Sequence, residues 1–247
     1  MRFNLPVLVY QEKNCVHNHA DEIAQMGKNA LIVTGRNSSK KNGSLDDVIN
    51  ALKSKNIKYT VYDGVEENPS VETVMEAREI GVKAGCDFII GIGGGSPMDA
   101  AKAIGVMIYH KNENKDFLYK SVSDSQSLPV IEVPTTCGTG SEVTTVAVLT
   151  VHNEKTKKSM SHRIFPRMAL VDEKYIKNLK IDKKSLIEVC KKINYIMTIN
   201  VKNVLKFFYC ISNEYKLNSG EISFFLDAFF SNYPSVCKTF IEENKDY

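Results

Sequence analysis

From residue 30 onward, continuous apolar runs alternate with segments whose apolar positions recur every three or four residues. ALIVTG reads as a short buried strand, SLDDVINALKSKN as an amphipathic helix and KYTVYDGV as a second strand. Ser44 is the expected cap of that first helix, with Asp47 at its third position. Asn68, Pro69 and Ser70 open a helix across SVETVMEAREIGVKAG, Gly85 closes it, and the apolar strand DFIIGI follows. SPMDAAKAIGVMI is a further helix, residues 111–127 a polar stretch and PVIEVPTT a strand. TTVAVLTV and TKKSMSH suit a hairpin, and MALVDEKYI a last strand running into a helix. Strands separated by helices of about 10 to 15 residues predict an α/β fold with a mostly parallel sheet and helices on its faces.

The pattern changes after about residue 180. Twelve of the 22 Phe and Tyr fall in the last 67 residues, with one Gly, one Ala and no histidine, so two regions are expected: an α/β domain over 1–180 and a short helical segment over 181–247. A tail rich in Phe, Tyr, Asn, Lys and Ile and poor in Ala and Gly is what an AT-rich gene yields when read out of frame, so a truncated or frameshifted product is expected, with a divergent short protein as the alternative. The net charge of +3 comes from dispersed lysines, which excludes a nucleic-acid partner as the leading reading. No apolar run approaches the roughly 18 residues of a membrane span, and MRFNLPVLVY is too short and too lightly charged for a signal peptide, so a cytoplasmic protein is expected. Six scattered cysteines without a Cys-x-x-Cys pair predict reduced, mostly buried thiols.

The chemistry concentrates in two loops. Gly93-Gly94-Gly95-Ser96-Pro97-Met98-Asp99 stands between an apolar strand and an alanine-rich helix, where a phosphate-binding turn belongs. Glycines let the backbone approach an anion, Ser96 is the expected cap, Pro97 suits the first helical position, and the helix dipole favours negative charge there. Tight turns also need glycine for steric reasons alone, so the second loop matters: PTTCGTGSEVT follows the next strand and opens at the same carboxyl edge.

GGGSPMDAAKAI and PTTCGTGSEVT, together with LIVTGRNSSKKNG, the Asn68-Pro69 turn and KKSMSHRIFPRMALVDEKY, resemble the iron-containing alcohol dehydrogenases, close to their butanol dehydrogenase-like members. The resemblance covers about residues 1–178 and implies the dehydroquinate synthase-like fold. It implies that Gly94, Gly95, Ser96, Pro97 and Met98 wrap the pyrophosphate of a nicotinamide cofactor, that Thr135, Thr136 and Thr144 contact the nucleotide, and that Asn68 lies toward the ribose. Lys158 matches the family's cofactor-facing lysine, with Lys157 as the alternative; Asp99 and Lys102 fit the pattern in either a binding or a structural role.

At the end of the first strand of this unit, an acidic residue would accept a ribose 2′-hydroxyl and repel a 2′-phosphate. Gly35 stands there instead, followed by Arg36, Ser38, Ser39, Lys40 and Lys41, which favours NADP(H) over NAD(H); a solvated basic loop is the plainer reading. The resemblance also implies Fe(II) held by one aspartate and three histidines of a second domain, acting as Lewis acid on a small alcohol or aldehyde. All five histidines, His17, His19, His110, His152 and His162, precede residue 163, so no metal site is expected in this chain. His17 and His19 belong to a polar helix start, and Cys137 is expected as a small core-facing thiol. Two functions follow as alternatives: an alcohol dehydrogenase or aldehyde reductase by ancestry, or a non-catalytic nucleotide-binding or oligomerising remnant. A homodimer through the N-terminal strand RFNLPVLVY is expected.

Overall fold

The computed structural model describes residues 6–176. Its strands are β1 (Leu8–Gln11), β2 (Asn29–Gly35), β3 (Lys58–Val65), β4 (Phe88–Gly93), β5 (Val130–Pro134), β6 (Val148–Val151), β7 (Thr156–Ser159) and β8 (Met168–Val171). Six of them form one sheet in the order β1-β8-β5-β4-β2-β3, with every neighbouring pair parallel, while β6 and β7 make an antiparallel hairpin. The helices are α1 (Cys15–Asn18), α2 (Ala20–Ala24), α3 (Ser38–Lys41), α4 (Ser44–Ser54), α5 (Val71–Ala84), α6 (Gly95–Tyr109) and α7 (Glu173–Ile176). This is the expected α/β fold. The helical segment expected over 181–247 lies outside the described residues.

The central strands are apolar along their whole length because both faces are covered, as parallel sheets require. Every residue of β4 and β5 is buried. Successive side chains point to opposite faces, so Leu31, Val33 and Ile89 pack with α5 and α6, whereas Ala30, Ile32 and Ile90 pack with α1, α2 and α4. Each fully buried Leu or Ile contributes about 1.5–3 kcal/mol relative to exposure, and the sheet carries such residues on both sides.

Chain direction makes the crevice. The β2–α4–β3 crossover steps outward, and β3–α5–β4 returns across β2, so right-handed connections place α4 and α5 on opposite faces. The two helix layers diverge at the carboxyl ends of β2 and β4, the switch point at which open α/β sheets bind ligands.

Two helix starts differ from expectation. Gly43, at φ 82°, is the N-cap of α4, and Ser44 is its first residue, its hydroxyl bonding Asn42 Oδ1 at 2.7 Å instead of capping the helix. Helix α6 begins one residue before Ser96, with Gly94 as N-cap. Ser70 and Gly85 cap α5 as expected: the Ser70 hydroxyl accepts from the Thr73 N–H at 3.1 Å, and Gly85 is left-handed at φ 68°. The polar stretch after α6 contains a 3₁₀ turn, Lys115–Tyr119, that buries Phe117 and Leu118.

Candidate functional site

The glycine turn ends β4 at the switch point. Gly93 has φ 149°, and Gly94 leads into α6. The first backbone bond of α6 runs from the Met98 N–H to the Gly94 carbonyl at 3.4 Å, which leaves the Gly95 and Ser96 N–H groups without intrahelical partners; Pro97 has none to offer. A fifteen-residue helix therefore presents two amides and the positive end of its dipole at the sheet edge. A Cβ on Gly95 would fall 2.8 Å from Thr139 Cγ2, so any other residue here would have to push the Thr139 side chain aside. Met98 turns into the core, fully buried, and offers helix packing rather than a surface.

The loop after β5 forms the opposing wall. The Thr135 N–H donates to the Gly93 carbonyl at 2.8 Å, and Thr136 Oγ1 lies 3.1 Å from where a Gly94 Cβ would sit. Cys137 departs from expectation: it is exposed, because this loop stands out from the sheet edge instead of folding into the core. Cys15 and Cys86 are buried, as expected.

Asn68 closes the third side. It is left-handed at φ 58°, its N–H donates to Ser96 Oγ at 3.1 Å, and its carbonyl accepts from the Thr150 hydroxyl at 2.9 Å. Lys157 Nζ donates to Asn68 Oδ1 at 2.7 Å. Adjacent strand residues face opposite ways, so Lys158 points elsewhere: its ammonium pairs with Glu154 and lies 5.7 Å from the centre of the Tyr119 ring. The structure thus joins Gly94, Gly95, Ser96, Thr135, Thr136 and Asn68 in one rim, with Lys157 attached through Asn68. Gly35 lies across the crevice at the end of β2, one residue beyond the Thr34–Ile92 pair.

Beneath the rim is a buried polar cluster. Lys102 is fully buried in α6, and its Nζ donates to the Ser141 hydroxyl at 2.7 Å and to the carbonyls of Ser141, Thr144 and Val146 at 3.0, 3.2 and 2.5 Å. Asp99 accepts from the Ser141 hydroxyl at 2.5 Å and from the Val148 N–H at 2.9 Å, and lies 3.6 Å from Lys102. Both residues hold the loop that carries Thr144. Glu132, in the middle of β5, is fully buried with neither carboxylate oxygen hydrogen-bonded among the described residues. Burial pushes its carboxyl well above the usual range, against the opposing pull of Lys102, while burial pushes the Lys102 ammonium down and Glu132 and Asp99 pull it back. Four oxygen acceptors suit the ammonium, so Glu132 is the group that surrenders its charge.

Residues 6–173 match the family described as iron-containing alcohol dehydrogenase. The chain belongs to this family. A long-chain primary alcohol dehydrogenase of Thermoanaerobacter ethanolicus is 36% identical over 162 residues, 65% of this chain and 40% of that protein. An NADPH-dependent butanol dehydrogenase of Clostridium saccharobutylicum is 34% identical over 181 residues, 70% of this chain and 45% of that one. The crystal structure of an iron-containing alcohol dehydrogenase from Thermotoga maritima superposes with a TM-score of 0.68 at 42% identity, covering 72% of this chain and 49% of that one. The chain spans less than half the length of these relatives.

The described residues do not fit the family's iron. Among the described residues no group of three or more His, Cys, Asp or Glu is placed to hold a metal ion, and residues 177–247 contain no histidine. His19 is engaged otherwise: its ring stacks on Tyr10 at 3.6 Å, with nitrogens 2.9 Å from Glu12 and 3.1 Å from Glu22. His162 is buried, its Nε2 2.8 Å from the Phe117 carbonyl oxygen. No helix among the described residues is long and apolar enough to cross a membrane.

Proposed function

We propose that residues 6–176 bind a nicotinamide dinucleotide as the cofactor domain of an alcohol dehydrogenase or aldehyde reductase, with the pyrophosphate on the Gly94–Ser96 turn. The observation that carries this reading is the N–H pair of Gly95 and Ser96 at the start of α6, which has no hydrogen-bond partner among the described residues, in a turn where a Cβ on Gly95 would fall 2.8 Å from Thr139 Cγ2. Thr135, Thr136 and Thr144 line the nucleotide side, Asn68 the ribose, and Lys157 supplies the cation on that wall in preference to Lys158. The cofactor brings hydride chemistry; this chain's residues bind and orient it. NADP(H) is preferred, since Gly35 offers no carboxylate to a ribose and a basic loop follows it.

Titration of the purified chain with NADPH and NADH tests this. Wild-type binding and a loss of about tenfold or more in Gly95→Val, with the fold retained, are the expected result, because one lost phosphate contact is worth roughly 1.5–3 kcal/mol. Equal affinity for both cofactors would refute the NADP(H) preference.

A second reading rests on the histidine distribution: without a ligand set for the family's metal, the chain binds cofactor but does not turn it over. An anaerobic assay with Fe(II), NADPH and short aldehydes separates the two, metal-dependent turnover refuting the second. Self-association is part of the same proposal, since Leu8 and Val9, at 54% and 44% exposure, lie on edge strand β1. A monomer by light scattering would remove it.

A further inference from the structure

The short helix α3 after β2 and the end of β3 hold an ion pair that the reading above does not use. Opposite β2, strand β3 carries an extra residue: Val33 pairs with Tyr62 but Gly35 with Val65, so two steps on one strand match three on the other. Such a bulge re-aims side chains at a sheet edge. Here it lies at Asp63–Gly64, and Asp63 Oδ2 takes the Lys40 ammonium at 2.5 Å, with both side chains 49% exposed. Lys40 holds the Asp63 carboxyl below the usual carboxylate range, with a smaller contribution from Arg36.

The loop backbone is fixed in advance. Ser39 is fully buried, its hydroxyl 2.8 Å from that of Thr34, and Thr34 in turn lies 2.8 Å from the Ile92 carbonyl oxygen on β4. The segment that ends in α3 is thereby tied to the two strands that define the switch point, and Arg36, Lys40 and Lys41 reach outward from it. Gly35 lies at the start of this loop, with an open approach: a Cβ there meets only the Val65 carbonyl oxygen at 3.4 Å.

We propose that Lys40 and Asp63 form a cofactor-discriminating exchange pair: Asp63 holds Lys40 at rest, and a ribose 2′-phosphate takes the lysine from it. The inference rests on the dinucleotide reading and deepens it by naming the residues that decide between the two cofactors. An exposed lysine–carboxylate pair is weak, and a phosphate carrying nearly two negative charges outcompetes a carboxylate carrying one. A 2′-hydroxyl cannot do so, and Lys40 stays on Asp63. Arg36, Lys40 and Lys41 set three positive charges against the one of Asp63, so the loop favours a dianion, and Asp63 repels that dianion once Lys40 is removed.

Binding of NADPH and NADH to the full chain and to Lys40→Met, Asp63→Asn and the double variant tests the proposal. Lys40→Met should weaken NADPH about tenfold or more and NADH far less, on the scale of one charge-assisted phosphate contact. Asp63→Asn should tighten NADPH by removing the competitor, and the double variant should bind NADPH better than Lys40→Met alone. An unchanged NADPH to NADH ratio in Lys40→Met, or weaker NADPH binding in Asp63→Asn, overturns the exchange pair while leaving dinucleotide binding standing. Failure of the wild-type chain to bind either cofactor removes both.

Discussion

Replacing Lys102 by Met removes an ammonium while keeping most of its length and apolar stem. Four oxygens lose their donor: the Ser141 hydroxyl and the carbonyls of Ser141, Thr144 and Val146. Asp99 keeps its bonds to Ser141 and Val148 but loses a cation 3.6 Å away. Three ammonium protons serve these acceptors, and removing one side of a buried charged cluster costs about 3–5 kcal/mol. For a domain of 150–250 residues, each kcal/mol moves Tm by about 2–4 °C, so Lys102→Met should lower Tm by roughly 6–20 °C. Thermal unfolding of the full chain, followed by circular dichroism, reads this directly. A decrease of less than about 2 °C would mean that the 141–146 loop holds its shape without the lysine, and the assignment of Lys102 as its internal tether would be wrong.

Three further outcomes are expected. Glu132 has its folded pKa raised above the unfolded value, so the folded chain binds the extra proton and stability falls as pH rises from about 4.5 toward that raised pKa; Glu132→Gln should flatten this slope and gain most at alkaline pH, as urea unfolding at several pH values will show. Gly91→Ala would bring a Cβ within 2.2 Å of Glu132 Oε2 and 2.8 Å of Ala101 Cβ, costing about 1–3 kcal/mol by urea unfolding, with part recovered by adding Glu132→Ala. Among the described cysteines, Cys137 should label first with a thiol reagent at pH 8, because burial pushes Cys15 and Cys86 up to about 11; peptide mapping that finds Cys15 or Cys86 labelled as fast would contradict the burial.

The sequence announced strands whose two faces are both covered, because ALIVTG and DFIIGI leave no polar face to mistake. The glycine turn was equally readable, since strand, glycines and alanine-rich helix follow one another without interruption. The polar cluster was not. Lys102 sits in a helix whose residues from Pro97 to Ile108 are, except for Asp99, all buried, so no surface stripe distinguishes a tethering lysine from a solvated one. Glu132 interrupts an apolar run in which a lone acid usually faces solvent, and only the coverage of β5 on both faces reverses that. The choice between Lys157 and Lys158 depended on which face of β7 meets Asn68, a matter of hairpin register. Gly43 was passed over for Ser44 because a left-handed φ leaves no trace in the letters around it, and the same holds for the bulge that turns Asp63 toward Lys40.

Strand β1 pairs with β8 residue for residue, Leu8 with Met168 through Gln11 with Val171, so these residues gain their sheet neighbour only once the chain has been made as far as residue 171. During synthesis β2, β3, β4 and β5 can assemble in turn, each beside a strand already made. The first strand is last to be seated. Such a long-range closure, spanning nearly the whole of the described chain, slows the last pairing of the sheet.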